Sequence, residues 1–230
     1  MRKLFLTFFA ALTLFFVTNS TTHATTNTVN YEGYPGLKMV VEELEADGSK
    51  EAIENLEKIE ALSEKELIDL NNILINPDKL AEELSKPENS IVESVEVDYS
   101  NKNSLSNFNI QPFAVGYSGQ VTVVTALSAL GIDLIKYELT GKFTVNEAKT
   151  KFISADSMDG IVIRKWLPQV STEKIGTPSK KVTADEFRGE MTFSYDLGVG
   201  SWGVARVGVV RTGFTGNTKR VTNSWAYGEI

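Results

Sequence analysis

Residues 121–139 read VTVVTALSALGIDLIKYEL. The stretch is apolar on nearly every side up to Ile132 and then turns amphipathic, with Asp133, Lys136 and Glu138. That pattern predicts a buried helix, with Val121 to Val124 as an entering strand. No charged residue occurs between Lys102 and Asp133. An uncharged run ending in an amphipathic turn also suits a membrane-active segment. The three later charges disfavour a stable transmembrane span beginning at Val121.

Strand signals follow the predicted helix, at Lys142 to Val145, Lys151 to Ser154 and Ile161 to Trp166. A polar loop, PQVSTEKIGTPSKKV, comes next, and Thr183 to Glu186 is placed to cap a single turn. In Glu190 to Leu197, Met191, Phe193 and Tyr195 alternate with Thr192, Ser194 and Asp196, the period of a strand. Trp202 to Phe214 reads as a longer strand, a turn sits at Gly216 and Asn217, and Val221 to Tyr227 returns as the last strand. The expected C-terminal unit is α+β, one apolar helix packed on an antiparallel sheet.

Upstream, helical signals dominate. Pro35 suits a helix start, and Leu37, Val40, Val41 and Leu44 follow at helical spacing. Asp47, Gly48 and Ser49 interrupt, and Ile53, Leu56, Ile59 and Leu62 form a second apolar stripe. Ser63 with Glu66 is a capping box. Asn76 before Pro77 is a cap with proline at the first helical position, and Pro87 stops the last helix. About four short helices in a small acidic bundle are expected, with one strand at Ile91 to Val97 after them.

The charge is uneven. The chain carries −7, and −9 once Arg2 and Lys3 are removed. Residues 25–112 hold 19 acids and 7 bases, whereas residues 113–230 hold 11 acids and 14 bases. Two units with different surroundings, or two that attract each other, produce such a split. The expected organisation is an acidic helical region at 25–97 that could serve as a pro-segment, a polar linker at 98–112 rich in Asn and Ser, and the α+β domain at 113–230.

Residues 1–24 read as a cleavable secretory signal: Arg2 and Lys3, an apolar run from Leu4 to Val17, and a polar end at Ala24 suited to cleavage. The apolar run is shorter than the roughly 20 residues a bilayer requires. A secreted protein with no cysteine folds on packing alone, a habit that fits a bacterial route better than a eukaryotic one.

The single histidine, His23, lies inside that signal. The mature chain would hold neither imidazole nor thiol. A Ser-His-Asp triad, a Cys-His pair and the common zinc sites are then excluded within it. Carboxylate chemistry stays open, with Glu186, Glu190, Asp196, Asp156 and Asp159 as the acids available, although no spacing selects a pair. Asp156, Asp159 and Gly160 lack the alternation of a calcium loop and read as a turn. Gly198, Gly200 and Gly203 match a dinucleotide fingerprint literally, but a strand follows where a helix is required, so a hairpin turn is read. No metal, cofactor or catalytic residue is assigned.

The last hairpin interleaves aromatics with bases: Trp202, Arg206, Arg211, Phe214, Lys219, Arg220, Trp225 and Tyr227. Such a set can stack glycans or hold anionic polymers and headgroups. Trp202, Arg206, Arg211, Lys219, Arg220, Trp225 and Tyr227 are therefore the candidate binding residues. A cell-wall polymer, a glycan or a membrane surface is the expected partner, and nucleic acid is not.

The order ALGIDLIKYELTGKF, polar loop, G-x-M-x-F strand and terminal NSWAY, over about the last hundred residues, resembles small uncharacterised secreted proteins of Gram-positive bacteria. That resemblance implies secretion and carries over no residue role. Three functions are open: a secreted non-enzymatic binding protein, a precursor of an antibacterial or membrane-active protein, and a carboxylate-dependent hydrolase.

Overall fold

In the computed structural model, four α-helices precede eight antiparallel strands among the described residues. The structure describes residues 31–99, 116–198 and 204–229, the side chains of 204–207 excepted. The helices are α1 (Pro35–Asp47), α2 (Lys50–Glu60), α3 (Glu64–Leu74) and α4 (Pro77–Ser85). The strands are β1 (Ser90–Asp98), β2 (Gly116–Ala129), β3 (Ile132–Asn146), β4 (Phe152–Lys165), β5 (Val170–Val182), β6 (Phe187–Gly198), β7 (Val204–Gly216) and β8 (Val221–Glu229). They form two four-stranded meanders, β1-β2-β3-β4 and β5-β6-β7-β8.

The helix boundaries follow local chemistry. Ser49 accepts from the Ala52 amide, Ser63 and Glu66 make the capping box, and Asn76 accepts from Asp78 and Lys79. Gly48, at φ 60°, takes the left-handed conformation that ends α1. Each helix turns one face inward: Leu37, Val40 and Leu44 of α1, Ile59 of α2, Leu70 and Leu74 of α3, and Leu80 and Leu84 of α4 are buried.

The predicted helix over 121–139 is a β-hairpin, and the single sheet is two sheets. Ala129 pairs with Ile132 across a two-residue turn in which Leu130 and Gly131 both have positive φ, 49° and 78°. Positive φ at both central positions suits the right-handed twist of a hairpin. The reason for the helical appearance is burial on both faces. Along β2 burial alternates as far as Val124 and is continuous from Thr125 to Ala129, and the first six residues of β3 are buried as well. The inner face meets the opposite sheet, while near the turn α2 packs against the same hairpin through Asn55.

The polar segment expected as a loop is β5. It is an exposed edge strand, interrupted at Gly176 (φ 69°), so it needs few apolar residues. Thr183 to Glu186 does form a turn, closed by the Thr183 amide on the Glu186 carbonyl.

The two sheets enclose an aromatic core. Tyr137 and Phe193 stack at 4.4 Å between ring centres, and Phe143 meets Phe152 and Phe187 edge-on at 5.1 and 5.4 Å. Phe187 meets Phe214 at 5.4 Å. Between β2 and β7, the hydroxyls of Thr125 and Thr212 lie 2.7 Å apart with neither residue exposed. The helices share this core rather than forming one of their own.

A polar network fastens the helices to the strands. The buried Asn55 side chain donates to the Asp133 carbonyl at 3.0 Å and accepts from its amide at 3.2 Å. The Asp133 carboxylate accepts from the Ser128 hydroxyl at 2.8 Å and faces Lys136 at 3.4 Å and Lys58 at 3.6 Å. Lys136 in turn reaches Glu93 at 2.7 Å. The Trp166 indole donates to Asp47 at 2.7 Å. Burial alone would raise the Asp133 carboxyl, but Ser128, Lys58 and Lys136 outweigh it and the net shift is downward. For Glu93 burial prevails and the carboxyl is raised.

Among the described residues no helix is long and apolar enough to cross a membrane. Signal residues 1–24 with Ala24, the 100–112 part of the linker, the glycines 200 and 203, and Trp202 lie outside the described residues.

Candidate functional site

The outer face of β6, β7 and β8 is built in rows, because residues directly opposite each other in an antiparallel pair share a face. Lys181, Arg188, Thr215 and Asn223 make one row, Ser179, Glu190, Gly213 and Trp225 the next, and Thr192, Arg211 and Tyr227 the third. Phe187, Met191, Phe193, Thr212 and Phe214, which alternate with them, are buried.

Gly213 decides how this face is laid out. A Cβ there would stand 2.4 Å from the Trp225 ring, so the indole lies flat across β7 only because that position is bare. The Arg188 guanidinium then sits over the ring at 5.1 Å from its centre. In the next row, the Arg211 guanidinium lies over Tyr227 at 5.9 Å. Glu190 approaches Arg188 at 3.6 Å and Glu229 approaches Arg211 at 3.7 Å. Both arginines stay substantially open to solvent, with side chains 52% and 41% exposed. Among the described residues the Arg211 Nε is buried without a hydrogen-bond partner, and its side chain also bonds Tyr227, so only the remaining guanidinium nitrogens of Arg211, with those of Arg188, are open to phosphate or carboxylate oxygens.

The structure thus brings Arg211, Trp225 and Tyr227 together. Lys219 and Arg220 stand apart from them, exposed in the β7–β8 turn, which is held by the Asn217 side chain accepting from both their amides. The backbone at Arg206 belongs to β7, but its side chain is outside the described residues. Arg188, Lys181 and Gly213 escaped the sequence reading. For Arg188 the alternation of Arg188 and Glu190 against Phe187 and Gly189 extends the predicted strand upstream but does not show what it packs beside, and nothing local marks Lys181 or Gly213.

Next to this face, a groove of about 560 Å³ opens between β1 and β8, lined by Val95 and Val97 and by residues 219–224. Val95 and Val97 pair with the buried Val123 and Val121, so they point toward the interior. Val95 is nevertheless 37% exposed, because the two strands do not close over it. At the lower end, the Tyr99 hydroxyl donates to the Thr218 carbonyl. Lys149 sits there over the rings of Tyr99 and Tyr117, at 4.9 and 4.5 Å.

The acids singled out as possible catalysts are engaged separately. Asp159 pairs with Lys174 at 2.8 Å, which lowers its carboxyl, and Asp156 accepts from Thr144 and Ser154 at 2.9 and 2.6 Å. Among the described residues no carboxylate lines the groove. Compared with known proteins, the chain matches no family model, no curated protein and no solved structure.

Proposed function

We propose that this chain is a secreted, non-enzymatic binding protein that holds a phosphate-bearing polymer of the cell surface on the outer face of β6 to β8. The single observation that carries the reading is the placement of Arg188 over Trp225 and Arg211 over Tyr227. Two partly exposed guanidinium groups beside aromatic rings, two rows apart on one face, offer a pair of anion-binding positions along it. Lys181, in the same row as Arg188, adds a further cation. A polymer phosphate displaces the loose contacts from Glu190 and Glu229, both longer than 3.5 Å, more easily than it would a close bidentate pair.

Export by the segment at 1–24 would place that face in contact with such a polymer. Lack of histidine and cysteine beyond residue 24 favours holding over converting. The helices share their core with the strands, which supports one working unit rather than a shield to be shed.

Co-sedimentation with isolated Gram-positive cell walls tests the proposal. The wild-type protein is expected to sediment in a salt-sensitive manner, and Arg188→Ala/Arg211→Ala and Trp225→Ala to bind on the order of tenfold more weakly. Absence of binding by every form, or equal binding by all three, removes the reading.

A further inference from the structure

The two places where the sheets meet edge to edge are unlike. At β4 and β5, Lys180 donates to the Ala155 and Asp156 carbonyls at 3.1 and 2.9 Å, Lys174 pairs with Asp159, and Lys151 pairs with Asp185. Alongside them, the Phe152 amide donates to the Ala184 carbonyl at 2.9 Å. At β1 and β8, among the described residues, no backbone hydrogen bond joins the strands, and Tyr99 on Thr218 is the one side-chain bond across. Both are the terminal strands of their sheets, so each turns an unpaired edge of N–H and C=O groups to the groove. An edge flanked by wetted interior valines is the setting in which an added extended strand gains both main-chain bonds and apolar cover.

The charges specify which end of such a strand binds. β8 starts at the turn that carries Lys219 and Arg220, and among the described residues neither side chain has an acidic partner. Across the groove, Glu96 and Asp98 of β1 alternate with Val95 and Val97 and lie on the outward face. They repel acidic side chains along the strand; Asp98, next to Tyr99 at the turn end, is on the strand face opposite to the one that Val95 and Val97 turn to the groove. A single negative charge at the turn end is accommodated, whereas an acidic ladder is not. A strand antiparallel to β8, continuing the pattern of every other pair, ends at that turn.

We infer that the β1–β8 groove captures the C-terminus of an extended peptide, which pairs antiparallel with Val221 to Ser224, sets alternate small apolar side chains against Val95 and Val97, and places its carboxylate between Lys219 and Arg220. The edge offered is about 13 Å long, enough for three or four peptide residues. This site is separate from the polymer-binding face and does not depend on it.

The test uses the full chain and a fluorescein-labelled hexapeptide, Gly-Ser-Thr-Val-Thr-Val, as free acid and as C-terminal amide, followed by fluorescence anisotropy. The free acid is expected to bind at least about tenfold more tightly than the amide. Lys219→Ala/Arg220→Ala, at two exposed positions, is expected to keep the wild-type circular dichroism spectrum and to abolish that difference. Amides of Val221 to Ser224 that face the groove are expected to exchange more slowly with the acid bound. Equal binding of acid and amide, no binding at millimolar peptide, a preference that survives in the folded double variant, or displacement of the peptide by soluble poly(glycerol phosphate) would each overturn the assignment.

Discussion

The hydroxyl pair at the centre of the molecule gives a sharp test of how the two sheets face each other. Thr125 on β2 and Thr212 on β7 are 87 positions apart, share a 2.7 Å hydrogen bond and are sealed from solvent. In Thr212→Val the shape is kept and no cavity opens, but the Thr125 hydroxyl is left buried without its partner. That costs about 1–3 kcal/mol. Thr125→Val should cost a similar amount for the same reason. In the double variant two apolar groups of the same shape meet, and stability should return to within about 1 kcal/mol of wild type. With a urea slope of about 2 kcal/mol/M, each single variant should lower the unfolding midpoint by roughly 0.5–1.5 M, and the double variant by much less. The assay is equilibrium unfolding in urea followed by circular dichroism, with the four proteins forming a double-mutant cycle. Effects that add to within about 0.5 kcal/mol would refute the packing of β2 against β7, since independent sites behave that way.

Three further outcomes follow from the same geometry. Gly213→Ala should lift the Trp225 ring off β7 into solvent, red-shift or quench its fluorescence, and weaken wall binding to the level of Trp225→Ala; an unchanged spectrum would show that the ring does not lie over Gly213. Removal of residues 25–98 deletes β1 and buried leucines including Leu37, Leu44, Leu80 and Leu84, each worth about 2–5 kcal/mol, so these four alone are comparable to the usual 5–15 kcal/mol of a whole domain. The remaining chain should not fold, whereas a protease-released unit that stayed soluble and cooperative would favour a shed pro-segment. Acid should loosen the helices from the strands. The carboxyls of Asp133 and Asp47 are lowered in the folded protein, so their stabilisation is present above their unfolded values near pH 4 and is lost as pH falls below them. Glu93, raised by burial, runs the other way and offsets part of the loss. Hydrogen exchange at pH 3 should therefore show α2 losing protection before β6 and β7; simultaneous loss would contradict the latch.

The helical half was legible because its signals are local. Ser63 with Glu66, Asn76 with Pro77 and the stripe from Leu37 to Leu44 each act within a few residues, and each does so in the structure. The strands were legible where one face meets water, as in Met191, Phe193 and Tyr195. They were not where both faces are covered. Thr125 to Ala129 and Ile132 to Tyr137 are buried all round by elements distant in sequence, and only the run of β-branched residues at 121–125 pointed to a strand. β5 failed for the opposite reason, since an exposed edge strand needs little apolar content. The aromatic and basic residues of the last hairpin were visible as a set. Their partner Arg188 was not, because its position depends on a pairing between β6 and β7 and on the bare backbone at Gly213.

Whether the β6–β8 face holds the polymer is decided by an NMR titration of the labelled protein with soluble poly(glycerol phosphate). Shifts should concentrate at Arg188, Arg211, Gly213, Trp225 and Tyr227 and fade as salt is raised. No shifts at all, or shifts gathered on the helices while these five residues stay still, would contradict binding on this face.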